Sequence, residues 1–361
     1  MIESLFPREK TIISIAIGTL TYDIQAQTQE AFGAMMHAIL IHNPGPDGHL
    51  VRQPHPIPQP ASGEVRIRVA FAALNRADIF QRQGTYPAPA DASPIPGLEV
   101  SGWVDALGDG VTDFTIGQEV CALTNGGAYA EYVCVPAGQA ARIPAGWSLE
   151  HAACLPEAAL TVWLAAIETG GAQAGDTVLI QGGASGIGAI GIPLLKAMGM
   201  RVLATASTKE KCAWCIAQGA DAAFPYHTDK LPDILRQQSA NGIAVVVDML
   251  GSTHLANALK ALRPGGRLVS LAFLNGTDSP LPLGALLMKN LQWSGITLRS
   301  QNSERKASLT RAITGNLWPK WENSPWRPAI DQAFTLENAQ KAQNRMEERL
   351  HLGKILLRVG A

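Results

Sequence analysis

The sequence predicts an α/β protein in two parts, a compact barrel-like β domain and a doubly wound parallel sheet. Three observations carry that prediction. At 361 residues the chain exceeds what one ordinary core accommodates. From Met36 to about Leu155 it reads as short strands broken by Gly and Pro, whereas beyond Leu155 β-branched runs alternate with helix-length segments. A glycine cluster follows directly on the first of those later strands.

In the first part, Val65–Phe71 (VRIRVAF) alternates as a half-buried strand does. Val100–Ala106, Glu119–Leu123 and Ala128–Val135 follow, separated by Gly-Asp-Gly and Asn-Gly-Gly turns. The Pro-rich loop Tyr86–Pro96 is long and irregular, and such loops often border sites. In the second part, Thr177–Gln181 (TVLIQ), Arg201–Thr205, Ala244–Met249 and Arg267–Ala272 are the predicted parallel strands. Leu336–Glu348 is helix-like, and Lys354–Val359 is a closing strand that returns to the first domain. The expected organisation is an extension over 1–35, a first domain over 36–155 completed by 300–361, and an inserted sheet domain over 156–299.

A net charge of −1 without like-charge blocks offers no long-range attraction for nucleic acid or an anionic membrane. No apolar run approaches the ~20 residues of a spanning helix. Five Cys without framework spacing fit a reducing, cytoplasmic compartment. Thr11–Leu20 is apolar behind Arg8 and Lys10, but Glu3 and Glu9 dilute the basic region and no small-x-small cleavage site follows. We expect a flexible extension, or a start codon placed too far upstream, with the folded body beginning near Met35–Met36.

Thr177–Gln181 runs into Gly182-Gly183-Ala184-Ser185-Gly186-Ile187-Gly188 and then a helical pattern. Strand, glycine turn and helix make a dinucleotide site: the glycines permit tight turning and close approach, and the helix N-terminus offers free N–H groups to the pyrophosphate. Pro193 conflicts with this helix, where a proline costs about 3 kcal/mol. About 20 residues after the glycines an NAD site places Asp or Glu on the ribose. Here the stretch is Thr205-Ala206-Ser207-Thr208-Lys209-Glu210-Lys211, with Ala206 in place of the acid. Ser207 and Lys211 are suited to a 2′-phosphate, which a carboxylate would repel, so NADPH is expected. Ser207 or Thr208 also suits a helix N-cap.

Two other motifs compete. Tyr226-x-x-x-Lys230 has the catalytic spacing of short-chain dehydrogenases, where the pair lies on one long helix. Pro225 and Pro232 bracket it here and forbid such a helix, so Tyr226 is expected beside the adenosine end of the cofactor. Cys212-x-x-Cys215 has no partner pair and reads as two helix residues.

From Met36 to the C-terminus the chain resembles the zinc-independent quinone oxidoreductase branch of the medium-chain dehydrogenase/reductase superfamily. The residues that carry the resemblance are Leu74-Asn75-Arg76-Ala77-Asp78, Gln83-Gly84-x-Tyr86-Pro87 and Pro96-Gly97-Leu98-Glu99-x-Ser101-Gly102. Further markers are Ala174-Gly175-Asp176, Arg263-Pro264-Gly265-Gly266-Arg267 and His351-Leu352-Gly353-Lys354-Ile355. The resemblance implies a GroES-like β-barrel catalytic domain plus a Rossmann sheet. Zinc-dependent relatives place Cys where this chain has Asn75, His where it has Leu98, and Cys or Glu where it has Glu157. One carboxylate and one amide do not make a three-ligand catalytic zinc site, so no metal is expected. The four-Cys structural lobe is missing as well, Cys121 and Cys134 flanking only a short Gly turn.

Without a Lewis acid, alcohol oxidation is a poor match, and hydride transfer to an electrophilic quinone or enone needs less help. By the same resemblance Asn75 lies near the nicotinamide and Thr161 holds its ribose or phosphate. Tyr86 is nominated as polar contact or proton donor, Asp78 as a structural helix-start residue, and Arg299 and Lys354 as residues reaching the cofactor; Glu157 is ambiguous. The leading expectation is an NADPH:quinone reductase. An enone or enal reductase, or an NADPH-binding protein without turnover, are the alternatives. The resemblance also implies a homodimer through strands near Leu291–Leu298, although Leu286–Leu298 suits a core equally well.

Overall fold

A computed structural model describes residues 34–90, 92–279 and 281–360. The expectations for Thr11–Leu20 and the rest of the N-terminal extension before residue 34 lie outside the described residues.

Two large sheets organise the chain. The first is formed by β3 (Glu64–Ala73), β4 (Glu99–Leu107), β5 (Glu119–Leu123), β6 (Tyr132–Pro136) and β7 (Ala140–Arg142), joined by the late strands β14 (Ile330–Thr335) and β15 (Lys354–Arg358). β3 is its hub. One edge pairs with β4 along its length, while the other pairs with β6 through Glu64–Arg68 and with β15 through Phe71–Ala73. Val65, Ile67 and Val69 point into the barrel core, and Arg66 and Arg68 alternate outward, as a half-buried strand requires. A two-stranded ribbon, β1 (Met35–His42) with β2 (His49–Pro56), packs beside it.

Ala128–Val135 is not one continuous strand; β6 begins only at Tyr132. Ala130 forms an isolated bridge to Ala38, and Tyr129 turns its whole side chain into the core, its hydroxyl donating to Asp78 Oδ2 at 3.0 Å. A buried tyrosine with a fixed polar partner outweighs the local alternation.

The second sheet is parallel throughout: β8 (Thr177–Gln181), β9 (Arg201–Ala206), β10 (Ala222–Pro225), β11 (Ile243–Asp248), β12 (Leu262–Ser270) and β13 (Gln292–Gly295), in the order β10-β9-β8-β11-β12-β13. Val178, Leu179, Val202, Leu203 and Val246 are fully buried, as strands covered on both faces must be. The order reverses between β8 and β11, the switch point at which such sheets bind ligands beyond their C-terminal ends.

Six helices position the site: α1 (Arg76–Arg82), α2 (Pro156–Val162), α3 (Gly186–Ala197), α4 (Lys209–Ala217), α5 (Ser303–Glu322) and α6 (Ala339–Glu347). α3 continues through Pro193. Ile192, Leu194 and Leu195 beside it are completely buried, and that packing holds the helix despite one missing backbone donor.

Candidate active site

The cleft lies between the two sheets, and the glycine turn forms its floor. A cavity of about 190 Å³ is lined by Gly182, Ser185 and Gly186 from the turn, and by Asn75, Arg76, Met346 and His351 from the barrel side. The glycines divide into two roles. Gly182 (φ +81) turns the chain and, with Gly186, faces the cavity. Gly183 and Gly188 do not line it; a Cβ on Gly188 would stand 2.0 Å from the Gly183 carbonyl, and one on Gly183 would meet Ala204 and Cys215 within 3 Å. Ser185 caps α3 by accepting the Gly188 N–H, so the first turn presents its remaining amides, with Ile187, to whatever binds there.

At the end of β9 the wall consists of Ala206, Ser207, Lys211 and, from beyond β10, Tyr226. Thr208 is the N-cap of α4, accepting the Lys211 N–H, which leaves Ser207 as the hydroxyl in the cavity. Tyr226 packs edge-on against His254, ring centroids 4.9 Å apart. Lys230 is not helical with it: it has φ +57 and precedes a separate helix, Leu231–Gln237. Cys212 and Cys215 are buried helix residues of α4.

The sequence did not single out Arg349 as a site residue, and Arg76 and His351 entered only inside motifs. All three face this cavity. Lys211 Nζ donates to the Arg349 carbonyl, and Arg349 itself is in the left-handed region at φ +57. Burial, then Arg349, lowers the pKa of Lys211; the same two causes lower that of Arg76. His351 is driven down to about 4 by burial, with Arg76 and Lys211 adding to it, so its imidazole is neutral at pH 7. Basic side chains gathered on one cavity wall make a site suited to an anion.

A second cavity, about 320 Å³, opens from the first; Asn75, Arg76, Ile187, Met249 and Leu274 line both. Tyr86, Leu98, Glu157, Thr161, Phe273 and Arg299 complete it. Asn75 is the N-cap of α1, and its backbone N–H donates to Asp78 Oδ2 at 2.8 Å, which gives Asp78 the structural role expected of it. The Asn75 amide donates to Glu99 Oε1 at 2.9 Å and accepts from Lys354 Nζ at 3.0 Å. Lys354 lines neither cavity. Its ammonium is directed at Glu99, 2.6 Å away, and it fixes Asn75 from behind.

Arg299 lines this second cavity rather than the glycine-turn cavity. It donates to Gln81 Oε1 at 2.9 Å and stands 5.7 Å from the Tyr86 ring centroid. Burial raises the pKa of the Tyr86 phenol above its ordinary value of 10. Glu157, half-buried at the start of α2, is pushed up to about 8 by burial and then by the Glu99 carboxylate. Asn75, Leu98 and Glu157 therefore converge on one wall, presenting an amide, an isobutyl group and a carboxyl. Among the described residues no three His, Cys, Asp or Glu are grouped to hold a metal ion, and no helix is long and apolar enough to cross a membrane.

Comparison with known proteins fits this geometry. The alcohol dehydrogenase GroES-like domain family matches residues 61–145 and the zinc-binding dehydrogenase family residues 186–313. A probable quinone oxidoreductase of Schizosaccharomyces pombe is 31% identical over 320 residues, spanning 88% of this chain and 96% of the relative. The chain belongs to the medium-chain dehydrogenase/reductase superfamily. The quinone oxidoreductase of Sus scrofa is 28% identical, covering 87% of this chain and 94% of its own. A mycobacterial protein solved in complex with NADPH superposes with a TM-score of 0.79 at 28% identity, over 90% of this chain and all of its own. An NAD-dependent alcohol dehydrogenase superposes with a TM-score of 0.77 at 29% identity, over 90% of this chain and all of its own. This dehydrogenase/reductase thus combines a GroES-like barrel with a Rossmann sheet and is an oxidoreductase of the nicotinamide-dependent kind.

Proposed function

We propose that this protein is an NADPH-dependent, metal-independent quinone oxidoreductase. The observation that carries the proposal is the wall of the second cavity, where Asn75 and Leu98 stand in two of the three positions that hold zinc in zinc-dependent relatives. A single carboxyl, Glu157, remains, and it is held in its protonated form near neutral pH. Such a wall does not assemble a Lewis acid, and it suits an acceptor that is already electrophilic.

NADPH, when bound, supplies a hydride. Gly182, Ser185, Gly186 and the first amides of α3 would hold its pyrophosphate. Ser207, Lys211 and Arg349 would hold the 2′-phosphate, Tyr226 would border the adenosine, and Thr161 the nicotinamide ribose. Asn75, fixed by Glu99 and Lys354, orients the reacting end, while Ile187, Met249, Leu274 and Phe273 exclude water and shape an apolar slot. Structural relatives include both an NADPH complex and an NAD-dependent enzyme, so the preference for NADPH rests on Ala206, Ser207 and the basic residues of this chain.

We also propose a homodimer built on β13. That strand is the outer edge of the parallel sheet, and beside it Leu283, Leu287 and Met288 are 66%, 76% and 82% exposed.

The test is NADPH and NADH consumption against 9,10-phenanthrenequinone, 1,4-benzoquinone and a simple enone, with and without a chelator. Chelator-insensitive, NADPH-preferring reduction of a quinone is expected. Turnover of the enone alone would change the substrate class, and tight NADPH binding without turnover would remove the enzymatic assignment.

A further inference from the structure

We propose that Glu157 is the acid that protonates the reduced acceptor, with Tyr86 holding the acceptor in place rather than supplying the proton. The inference rests on the quinone-reductase function proposed above and names the residue that completes its chemistry.

Reduction of a quinone by hydride leaves an oxyanion on the product, and that charge has to be neutralised in a cavity lined largely by apolar groups. Thr161, Thr297 and Arg299 also line the cavity, but its acidic groups are the Tyr86 phenol and the Glu157 carboxyl. Position distinguishes Glu157. Its backbone N–H donates to Glu99 Oε2 at 2.9 Å, which locks the first turn of α2 against β4. Among the described residues, its own carboxyl has no hydrogen-bond partner. A carboxyl so placed, on a cavity wall and beside a buried carboxylate, is available to whatever occupies the cavity.

The surrounding charges decide its state. Glu99 from β4 and Asp78 from α1 disfavour a second negative charge, whereas Lys354 from β15 and Lys306 from α5 act in the opposite sense. Lys354 is already paired with Glu99 at 2.6 Å, so burial and Glu99 prevail and the carboxyl titrates at about 8. At neutral pH it is a neutral donor, which also spares the developing oxyanion the repulsion of a carboxylate. Tyr86 is raised above an already high phenol value by burial, and it is the weaker acid of the two.

The step balances simply. Hydride brings two electrons and one hydrogen to the quinone, and the resulting hydroquinone oxyanion forms its O–H bond with the Glu157 proton as the Oε–H bond breaks. Glu157 is left as a carboxylate and regains a proton from water between turnovers. The transfer runs downhill, because the product phenol has a pKa of ~10.

The test compares kcat for 9,10-phenanthrenequinone from pH 6 to 10 in the wild type, Glu157→Gln, Glu157→Asp and Tyr86→Phe, with the NADPH Kd measured by fluorescence in each. The wild type should lose kcat above about pH 8. Glu157→Gln should lower kcat ~10²–10⁴-fold and abolish that limb, with the NADPH Kd within twofold. Glu157→Asp should keep a limb at reduced kcat. An independent readout needs no turnover: the infrared carbonyl band of a carboxylic acid should titrate near pH 8 in the wild type bound to NADP+ and vanish in Glu157→Gln. If wild-type enzyme reduces quinone but Glu157→Gln keeps both kcat and the alkaline limb, or if Tyr86→Phe alone removes the limb, the assignment to Glu157 is wrong while the function stands. If the wild type reduces no quinone, the function and this role fall together.

Discussion

Lys354 donates a 2.6 Å hydrogen bond to Glu99 across the base of the cleft, and the two side chains are 1% and 0% exposed. The pair joins the last strand of the chain to β4, and each partner also holds Asn75. Lys354→Met would leave Glu99 a buried charge without its counterion. The expected cost is about 3–5 kcal/mol of stability, read from denaturant midpoints at constant m. Adding Glu99→Gln should recover part of that loss, because the uncompensated charge is gone while an acceptor for the Glu157 N–H remains. Equal losses in the single and double variants would show that the pair is not coupled.

The basic cluster at the adenosine end gives a prediction in binding. Lys211→Ala and Arg349→Ala should each weaken NADPH by roughly 1.5–3 kcal/mol, the worth of one hydrogen bond to a charged group. NADH affinity should change little in either variant, since it lacks the phosphate these cations would meet. Fluorescence titration with both nucleotides checks this, and equal losses for NADH and NADPH would place the cluster elsewhere on the cofactor.

Much of this site was legible in the sequence, because some residues announce themselves by pattern. The glycine turn follows a strand, Ala206 stands where an acid would be, and Asn75 and Leu98 stand in recognisable motifs. Arg349 had no such signal, and His351 stood in a motif that gave no hint of its place in the cavity. They enter the cavity because α6 and β15 return to the barrel, a long-range consequence of topology with no local period to betray it. The split roles of the glycines were hidden for the same reason: Gly183 and Gly188 resemble Gly182 and Gly186 in the motif, and only packing separates those that face the cavity from those that let the turn close. Tyr129 misled the strand assignment because its partner, Asp78, lies 51 residues away in the chain.

His351 predicts an acid-side loss of stability. Its folded-state pKa is about 4, against an ordinary 6.5, so at pH values between these the unfolded chain binds a proton that the folded one does not. Its contribution is complete above pH 6.5 and is lost as the pH falls toward 4, by up to ~3 kcal/mol. His351→Gln should flatten that part of the pH–stability curve, measured by urea unfolding from pH 4 to 7. An unchanged slope would assign the acid sensitivity to other groups.

The exposed edge at β13 predicts the assembly. Trp293 on that strand is 40% exposed, and Leu287 and Met288 beside it are largely bare, although their neighbours in the sheet are buried. An unpaired parallel edge with an apolar flank is an aggregation hazard unless a second edge covers it. Two copies meeting at this strand about a two-fold axis would do so with the same residues on both sides. Leu287→Asp with Trp293→Lys places like charges at that contact and should convert a dimer into a monomer in sedimentation equilibrium at micromolar concentration. Both residues lie outside the two cavities, so NADPH binding should persist in the monomer. A wild-type protein that sediments as a monomer, or a doubly charged variant that remains dimeric, would exclude this edge as the interface.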